Sequence, residues 1–265
     1  MEASATRIMK QPEIKNYLDV AIKAVRRGQE FLHENQQEMP KMVSREAKEV
    51  KIDLDFALEK LILDELREHS SWQTLSEESG AQAGIGNPFW IVDPLDGSLN
   101  RLRGIPFNSI SIALYDNDEP ILGVILDLNE GDLYCGSSAL GAWVNETPIQ
   151  VSDVSAKADA ILCTGFPSSF NFDVGSISRV ASTCSDFHKV RMFGSAALSL
   201  AYVASGRCDS YWEEEIKLWD VAAGLALVSA AGGVAVKSDL DEKHHLIISA
   251  AASSSLLVDH RTSRS

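Results

Sequence analysis

The strongest constraint on the fold lies between residues 105 and 151, where short apolar runs alternate with turn-forming clusters. Strands of this length, separated by clusters of Asp, Asn, Gly and Pro, are typical of hairpins joined by tight turns. The runs are SISIALY, ILGVILDL, LYCGSS and GAWVN, and the clusters are DNDEP, NEGD and NETP. We therefore expect an antiparallel meander in this part of the chain.

The flanking segments have a different texture. Downstream, strand candidates (DAILCTG, HKVRMF, CDSYWE, HLIISAA) alternate with helix candidates (GSAALSLAYVASG, WDVAAGLALVSAAGG), which indicates an α/β arrangement. Upstream, apolar residues recur at helical spacing from Ile14 to Val25, and a second amphipathic helix is expected from about residue 54. The polar segment KMVSREAKEVKID between them predicts a mobile loop or a frayed hairpin, and residues 1–12 predict a flexible tail.

Length and composition suit one large domain or two closely packed halves. The chain has 265 residues, of which 45% are hydrophobic, and no low-complexity linker interrupts it. We expect an N-terminal α+β half over residues 13–151 and a C-terminal α/β half over residues 152–265, packed as one catalytic unit.

Charge and cysteine content limit the partners. A net charge of −14 disfavours nucleic acid and anionic membrane surfaces, so a phosphate-bearing substrate needs a metal or backbone amides. The sequence shows neither a leader nor a run of about eighteen apolar residues, which predicts a cytoplasmic protein without a membrane partner. The four cysteines are far apart in sequence and predict free thiols.

Three acidic clusters are the candidate functional residues: Glu77-Glu78, Asp93 with Asp96, and Asp220. Taken singly, each has an ordinary structural explanation: loop charges, a turn leading to a helix cap, and a helix N-cap. Together they offer the several oxygen ligands that Mg²⁺ requires. Gly97 leaves room for a phosphate to approach the backbone, where the amides of Gly97 and Ser98 at a helix start can bind it.

The clusters lie within longer motifs, which occur in the order SEES (76–79), DPLDGSLN (93–100), WDVAAG (219–224) and AAGG (230–233). In these motifs the sequence resembles the inositol monophosphatase superfamily of Mg²⁺-dependent, often lithium-sensitive phosphomonoesterases. The resemblance extends from DFALEK near residue 55 to RMFGSAA at 191–197. It implies a layered αβαβα sandwich of the inositol monophosphatase and fructose-1,6-bisphosphatase type, classed as α/β (α+β).

The resemblance also implies a site. Glu77, Asp93 and the Leu95 carbonyl would hold a first Mg²⁺, and Glu77 would also bind a third, weaker ion. Mn²⁺ would substitute for Mg²⁺. The second ion would be held by Asp93, Asp96 and Asp220. Water oriented by Ser98 and Glu77 would attack phosphorus in line, while the second metal stabilises the departing alkoxide. Asp55 would hydrogen-bond the Ser98 hydroxyl.

On the substrate side, the resemblance implies contacts from Gly194, Ser195 and Ala196, from Glu213, and from spare oxygens of Asp96 and Asp220. Glu213 has an equally good alternative as a solvated loop charge beside Glu214 and Glu215.

Several residues depart from the family pattern. Ser98 replaces the commoner threonine but keeps the hydroxyl, and Ser76 replaces a glycine, as in the 3′-phosphoadenosine nucleotidase branch. Asn100 retains the asparagine of the inositol and sugar phosphatases. Arg101 and Arg103 follow where an aromatic residue is usual; a second phosphate, a subunit partner or a solvated helix face would each explain them.

The motifs leave several functions open. The first is hydrolysis of a small polyol or sugar phosphate; a 3′(2′),5′-bisphosphate nucleotidase or a fructose-1,6-bisphosphatase on the same scaffold is the alternative. A haloacid-dehalogenase phosphatase is a weaker rival, because DLDFA (53–57) supplies only its two aspartates. A non-catalytic regulator that binds metal or sugar phosphate is the alternative of another class. The resemblance implies a homodimer.

Overall fold

The computed structural model of the chain describes residues 9–35, 42–46, 49–81, 86–117, 119–168, 170–241 and 245–259. These residues form six α-helices: α1 Gln11–Glu34, α2 Asp53–His69, α3 Ser98–Leu102, α4 Val174–Ser185, α5 Ala196–Ala204 and α6 Leu218–Ala230. Among them, no helix is long and apolar enough to cross a lipid bilayer.

The strands of the N-terminal part are β1 Met42–Glu46, β2 Glu49–Ile52, β3 Thr74–Ser76, β4 Gly80–Ala81, β5 Phe89–Asp96, β6 Ser109–Asp116, β7 Glu119–Asp127, β8 Leu133–Ser137, β9 Gly141–Val144 and β10 Thr147–Pro148. Those of the C-terminal part are β11 Ile161–Cys163, β12 Lys189–Arg191, β13 Ser210–Lys217, β14 Val234–Lys237 and β15 His245–Ala251. They form an eight-stranded sheet in the order β10-β9-β8-β7-β6-β5-β3-β4 and a five-stranded sheet in the order β12-β11-β13-β15-β14, while β1 and β2 pair separately.

Alternation along the central strands divides the apolar residues between two layers. In β5, Trp90 and Val92 pack against α1 and α2, whereas Ile91 faces the opposite core with α5 and α6. Neighbouring side chains of a strand point to opposite faces, so one sheet supports a helical layer on each side.

Helices α5 and α6 are apolar around most of their circumference because they lie between the two sheets. Small residues allow this close packing. A Cβ on Gly224 would lie 2.4 Å from Leu200 of α5, and one on Gly123 of β7 would lie 2.2 Å from the Ala223 carbonyl oxygen. The outer face of the five-stranded sheet is covered by a third core that includes Val180 of α4. The layers are therefore α1/α2, sheet, α5/α6, sheet, α4, which confirms the αβαβα sandwich.

The first two helices are joined by a buried charge cluster. Glu65 of α2 is fully buried and pairs with Lys23 at 2.6 Å, with Arg27, and with His69 at 3.2 Å. Glu65, Glu68 and His69 bring possible metal-ligand atoms within 4.8 Å of one another. The cations on Glu65 make this set a structural ion-pair network rather than a metal site.

Most sequence predictions for the elements are confirmed. Strands β6 to β10 form the antiparallel meander, and the KMVSREAKEVKID segment contains the β1–β2 hairpin. The described cysteines are all free thiols. Helix α1 begins at Gln11, two residues inside the predicted tail, while residues 1–8 lie outside the described residues. Helix α4 and strand β14 were not predicted, and the division into halves at residue 151 stays a prediction.

Candidate active site

A bulge in β5 places Asp93 and Asp96 on the same side of the sheet. Asp93 pairs with Ser111 of β6 and Asp96 with Ser109, so three steps along β5 match two along β6. Residues three apart in a regular strand would point to opposite faces, and one extra residue restores the common direction. Both carboxylates therefore face the α5/α6 layer, while Leu95 points into the core beneath α1 and α2.

Glu77 reaches this point from the neighbouring strand. Strands β3 and β5 are parallel, and the Glu77 amide donates to the Val92 carbonyl at 3.2 Å, just beyond the end of β3. Glu77 therefore lies beside Asp93 at the carboxyl ends of two adjacent strands. Burial raises the pKa of Asp93 well above its usual value, and the Glu77, Asp96 and Asp220 charges raise it further.

Asp220 arrives from the first turn of α6. Lys217 is the N-cap, and Asp220 is the third helical residue, whose carboxylate accepts from the Lys217 amide at 3.3 Å. The interpretation of Asp220 as a possible N-cap was therefore wrong by three positions, because Leu218 and Trp219 already have helical geometry. Burial, followed by the charge of Glu77, raises the pKa of Asp220.

The C-terminal half supports Asp96 through the start of α5. The Ser195 hydroxyl, the Ala197 amide at 3.0 Å and the Ser109 hydroxyl at 3.3 Å all donate to Asp96 Oδ2. Burial raises the pKa of Asp96 to about 6, and the donors limit the rise. The Ser195 hydroxyl also accepts from the Leu198 amide as the N-cap of α5. Its side chain therefore positions Asp96, and the substrate contact of Ser195 stays a prediction.

The donor set suits a divalent cation. Within the described part of the chain, no Lys, Arg or His side chain forms an ion pair with Asp93, Asp96 or Asp220. Buried carboxylates that are both close together and unpaired are costly unless they take up protons or hold a cation. Hard oxygen donors of this kind match Mg²⁺ and Mn²⁺.

Gly97 and Ser98 follow directly at the turn into α3. Gly97 has φ of 83°, and a Cβ there would lie 2.7 Å from the Phe107 carbonyl oxygen, so glycine is required. The Ser98 hydroxyl donates to the Leu95 carbonyl at 2.8 Å. Asp55 is buried at the start of α2, and its role stays a prediction.

A cavity of about 200 Å³ joins the acidic residues to the predicted substrate residues. It is lined by residues that include Asp96, Asp220, Glu213, Gly194, Ser195 and Ala196. A larger cavity of about 920 Å³ lies between β7, α6 and β14 and contains none of these residues. The smaller cavity is therefore the candidate substrate pocket.

Glu213 is buried in this pocket, not solvated as the alternative interpretation had it. Its carboxylate accepts from the Tyr211 hydroxyl at 2.6 Å. Burial raises the pKa of Glu213 to about 7, Tyr211 opposes the rise, and Asp96 adds to it. The neighbouring Glu214 forms a bidentate ion pair with Arg179 instead, at 2.9 and 3.1 Å.

The supporting roles of two residues, Glu59 and Asn100, were not predicted from the sequence. Glu59 of α2 is buried and accepts from the Ser76 hydroxyl, from the amides of Glu78 and Ser79, and from the Ser79 hydroxyl. It thereby fixes the turn that carries Glu77. The available signal was the spacing of four between Asp55 and Glu59, which places two acidic residues on one face of α2.

Asn100 is the second supporting residue. Its amide donates to the carbonyls of Phe107 and Phe193, each at 2.8 Å, and of Gly194 at 3.3 Å. Gly194 has φ of 76°, and a Cβ there would lie 3.1 Å from the Asn100 amide nitrogen. The motif asparagine therefore joins the α3 segment to the segment that leads into Ser195.

The two unusual arginines differ in environment. The Arg101 guanidinium is partly buried and donates to Asn108 at 3.4 Å. Burial lowers the pKa of Arg101, while the nearby charge of Asp55 opposes this. Arg103 is exposed. Neither lines the pocket of about 200 Å³.

Comparisons with known proteins identify the family of this chain. The model of the inositol monophosphatase family matches residues 13–263. A "Nus factor SuhB" from Xylella fastidiosa is 39% identical over 83% of this chain and 81% of its own length. A "fructose-1,6-bisphosphatase/inositol-1-monophosphatase" from Aquifex aeolicus is 33% identical over 83% and 85%.

A solved structure adds the fold. Inositol monophosphatase from Anabaena superposes with a TM-score of 0.77 at 32% identity, covering 92% of this chain and 93% of that protein. Family, relatives and fold all point to phosphatase activity. The chain belongs to the inositol monophosphatase family, a family of generally metal-dependent phosphatases.

Proposed function

We propose that this phosphatase is a Mg²⁺-dependent phosphomonoesterase that hydrolyses a small polyol or sugar phosphate. The observation that carries the proposal is the convergence of Asp93, Asp96 and Asp220 from two separate elements with no basic side chain paired to them in the described residues. A dianionic phosphate would be repelled by this cluster unless cations first reversed its charge.

Two or three ions would be held by the predicted ligands. Glu77, Asp93 and the Leu95 carbonyl form one set, and Asp93, Asp96 and Asp220 form the other. Divalent cations bound there supply charge neutralisation of the phosphate and activation of the attacking water. Mn²⁺ offers the same preference for oxygen and substitutes for Mg²⁺.

The protein's own groups orient the reactants. Ser98 and Glu77 hold the attacking water by hydrogen bonds, and the amides of Gly97 and Ser98 bind phosphate oxygens. On the opposite side, Glu213 accepts hydrogen bonds from substrate hydroxyls, and Asp96, Asp220 and the 194–196 segment line the same cavity. The leaving alcohol therefore lies between the acidic cluster and Glu213.

The size of the pocket disfavours a nucleotide substrate, and the strand topology disfavours a haloacid-dehalogenase mechanism. A cavity of about 200 Å³ lies below the roughly 300 Å³ at which pockets for drug-sized ligands begin, which favours one small ring over a nucleoside. A haloacid-dehalogenase mechanism is disfavoured because Asp53 and Asp55 follow β2, which pairs only with β1 and lies outside both large sheets.

We also propose a location, an oligomeric state and an inhibitor for the enzyme. We propose a cytoplasmic homodimer whose activity is inhibited by lithium. Exposed apolar side chains of Leu99, Ile105 and Met192 support a subunit interface. Size-exclusion chromatography with light scattering tests the dimer, and a lithium titration tests the inhibition.

A regulatory protein is the second candidate, because the Xylella relative bears the name Nus factor. The two candidates are separated by Asp220→Asn. A phosphatase loses nearly all turnover in this variant while it stays folded, whereas a regulator keeps its partner binding.

The direct test is phosphate release from a panel of phosphomonoesters with Mg²⁺. We expect turnover of a cyclic polyol phosphate that excess chelator abolishes and Mg²⁺ restores. Undiminished release in chelator would overturn the proposed mechanism.

A further inference from the structure

Phe166 is a partly exposed aromatic residue of the candidate substrate pocket. Its ring lines the cavity that also contains Glu213, Asp96 and Asp220, and the side chain remains 36% exposed. The cavity therefore combines the carboxylates with apolar residues, Phe166 together with Ala196 and Ile216.

The ring is held in place by other aromatic residues. Its centroid lies 4.8 Å from that of Phe170 and 5.2 Å from that of Phe172, in tilted arrangements typical of stable aromatic contacts. Phe170 is itself buried, so the cluster is anchored in the outer core. Phe166 therefore presents a fixed surface.

The backbone at Gly165, directly before Phe166, packs closely against the Glu213 carboxylate. A Cβ on Gly165 would lie 2.9 and 3.0 Å from the two carboxylate oxygens of Glu213, which only glycine avoids. The aromatic wall and the hydrogen-bonding carboxylate are thus kept at a short separation. Burial raises the pKa of Tyr211, and the Tyr211 hydroxyl donates a hydrogen bond to Glu213.

A cyclic polyol has the matching chemistry. Its hydroxyl groups project around the edge of the ring, and its C–H groups cover the two faces. Aromatic side chains bind such apolar surface, while a few placed polar groups fix orientation. A flexible acyclic polyol offers no comparable face.

We propose that Phe166 is a specificity-determining residue whose ring packs on the C–H face of a cyclic leaving alcohol while Glu213 binds its hydroxyls. The inference rests on the proposed phosphatase function and adds a preference for ring-shaped over acyclic polyol phosphates.

The test compares Phe166→Ala and Phe166→Leu with Leu240→Ala, which removes an exposed apolar side chain outside the pocket. For myo-inositol 1-phosphate with Mg²⁺, Phe166→Ala should raise KM about 2- to 12-fold with little change in kcat, since such contacts contribute about 0.5–1.5 kcal/mol. Phe166→Leu should fall between Phe166→Ala and wild type. Glycerol 2-phosphate should show unchanged KM in every variant, and Leu240→Ala should match wild type.

The outcomes separate the two proposals. Unchanged KM for the cyclic substrate, an equal rise for glycerol 2-phosphate, or a larger rise for adenosine 3′,5′-bisphosphate would overturn the role of Phe166 while the wild-type enzyme remains active. A wild-type protein that hydrolyses none of these esters would instead overturn the proposed function and this inference with it.

Discussion

The side-chain amide of Asn100 donates a 2.8 Å hydrogen bond to the carbonyl oxygen of Phe193, 93 residues later in the chain. The contact joins the segment that follows the acidic turn to the segment that delivers Ser195 to Asp96. The rings of Phe107 and Phe193 stack beside it with centroids 4.4 Å apart. The geometry of Asp96 therefore depends on both halves of the chain.

Replacing Asn100 should weaken metal binding more than it weakens the fold. Asn100→Ala leaves the Phe107 and Phe193 carbonyls without their donor, at a cost of about 1–3 kcal/mol, and releases the segment before Ser195. We expect the Mg²⁺ concentration for half-maximal activity to rise about tenfold, measured alongside the melting temperature. Asn129→Ala, in an exposed turn, is the control. Lower stability with unchanged Mg²⁺ dependence would show that Asn100 has only a structural role.

Glu59 should control Glu77 without touching substrate. Glu59→Gln replaces one acceptor oxygen by an amide that faces hydroxyl and N–H donors, so the turn from Ser76 to Ser79 loses its anchor. We expect calorimetric Mg²⁺ affinity to fall about 10-fold or more. Glu68→Gln, on the exposed part of the same helix, should leave the affinity unchanged. Equal affinity in the two variants would contradict this role.

The metal-free protein should lose stability as pH rises from 5 to 8. The pKa values of Asp96 and Glu213 are raised from 3.8 and 4.5 to about 6 and about 7, so the folded state binds more protons than the unfolded state in between. Their stabilising contribution is present below about pH 4 and is lost as pH rises through 6 and 7. Asp93 and Asp220 shift in the same direction.

Thermal melts in chelator measure this dependence. Mg²⁺ should raise the melting temperature more at pH 8 than at pH 5, where protons compete for the carboxylates. Glu213→Gln should reduce the slope in the metal-free state. A melting temperature that is constant or increases over this range in chelator would contradict the expectation.

Gly97 should be far less tolerant of a side chain than Gly104. Both have positive φ, at 83° and 69°, but a Cβ on Gly97 meets the Phe107 carbonyl at 2.7 Å whereas one on Gly104 meets nothing within 4 Å. Gly104→Ala should cost about 1 kcal/mol from backbone conformation alone. Gly97→Ala should cost at least about 1 kcal/mol more. Equal losses of unfolding free energy for the two variants, measured by urea denaturation, would show that the contact with the Phe107 carbonyl is relieved without cost.

Sequence patterns predicted the meander, the helices α5 and α6, and the segments that bring the acidic residues together. These features have local causes: alternation, turn chemistry and the apolar character of buried elements. Helix α4 was missed because VGSISRVASTCS has little apolar surface and buries only Val180. The start of α6 was misplaced because Lys217, a poor N-capping residue, takes that position.

The contacts of the site were less predictable because they join distant parts of the chain. The hydrogen bonds from Ser195 to Asp96 and from Asn100 to Phe193 cross about 100 residues, and no local periodicity encodes them. The sequence also left the burial of Glu213 undecided, because the Glu213 carboxylate packs against Gly165 from a distant part of the chain. It also accepts a hydrogen bond from Tyr211.

The bulge between Asp93 and Asp96 determines what the deletion of one residue from β5 would do to the site. Deleting Pro94 would remove the bulge, so that β5 would pair with β6 in a regular ladder. The two aspartates would then be two residues apart and would still share a face, but Gly97 and Ser98 would move one residue back along the strand. The carboxylates would survive such a deletion, and the turn beyond them would be displaced by about 3.3 Å. The extra residue thus sets how far the turn that we propose to bind phosphate projects past the end of the sheet.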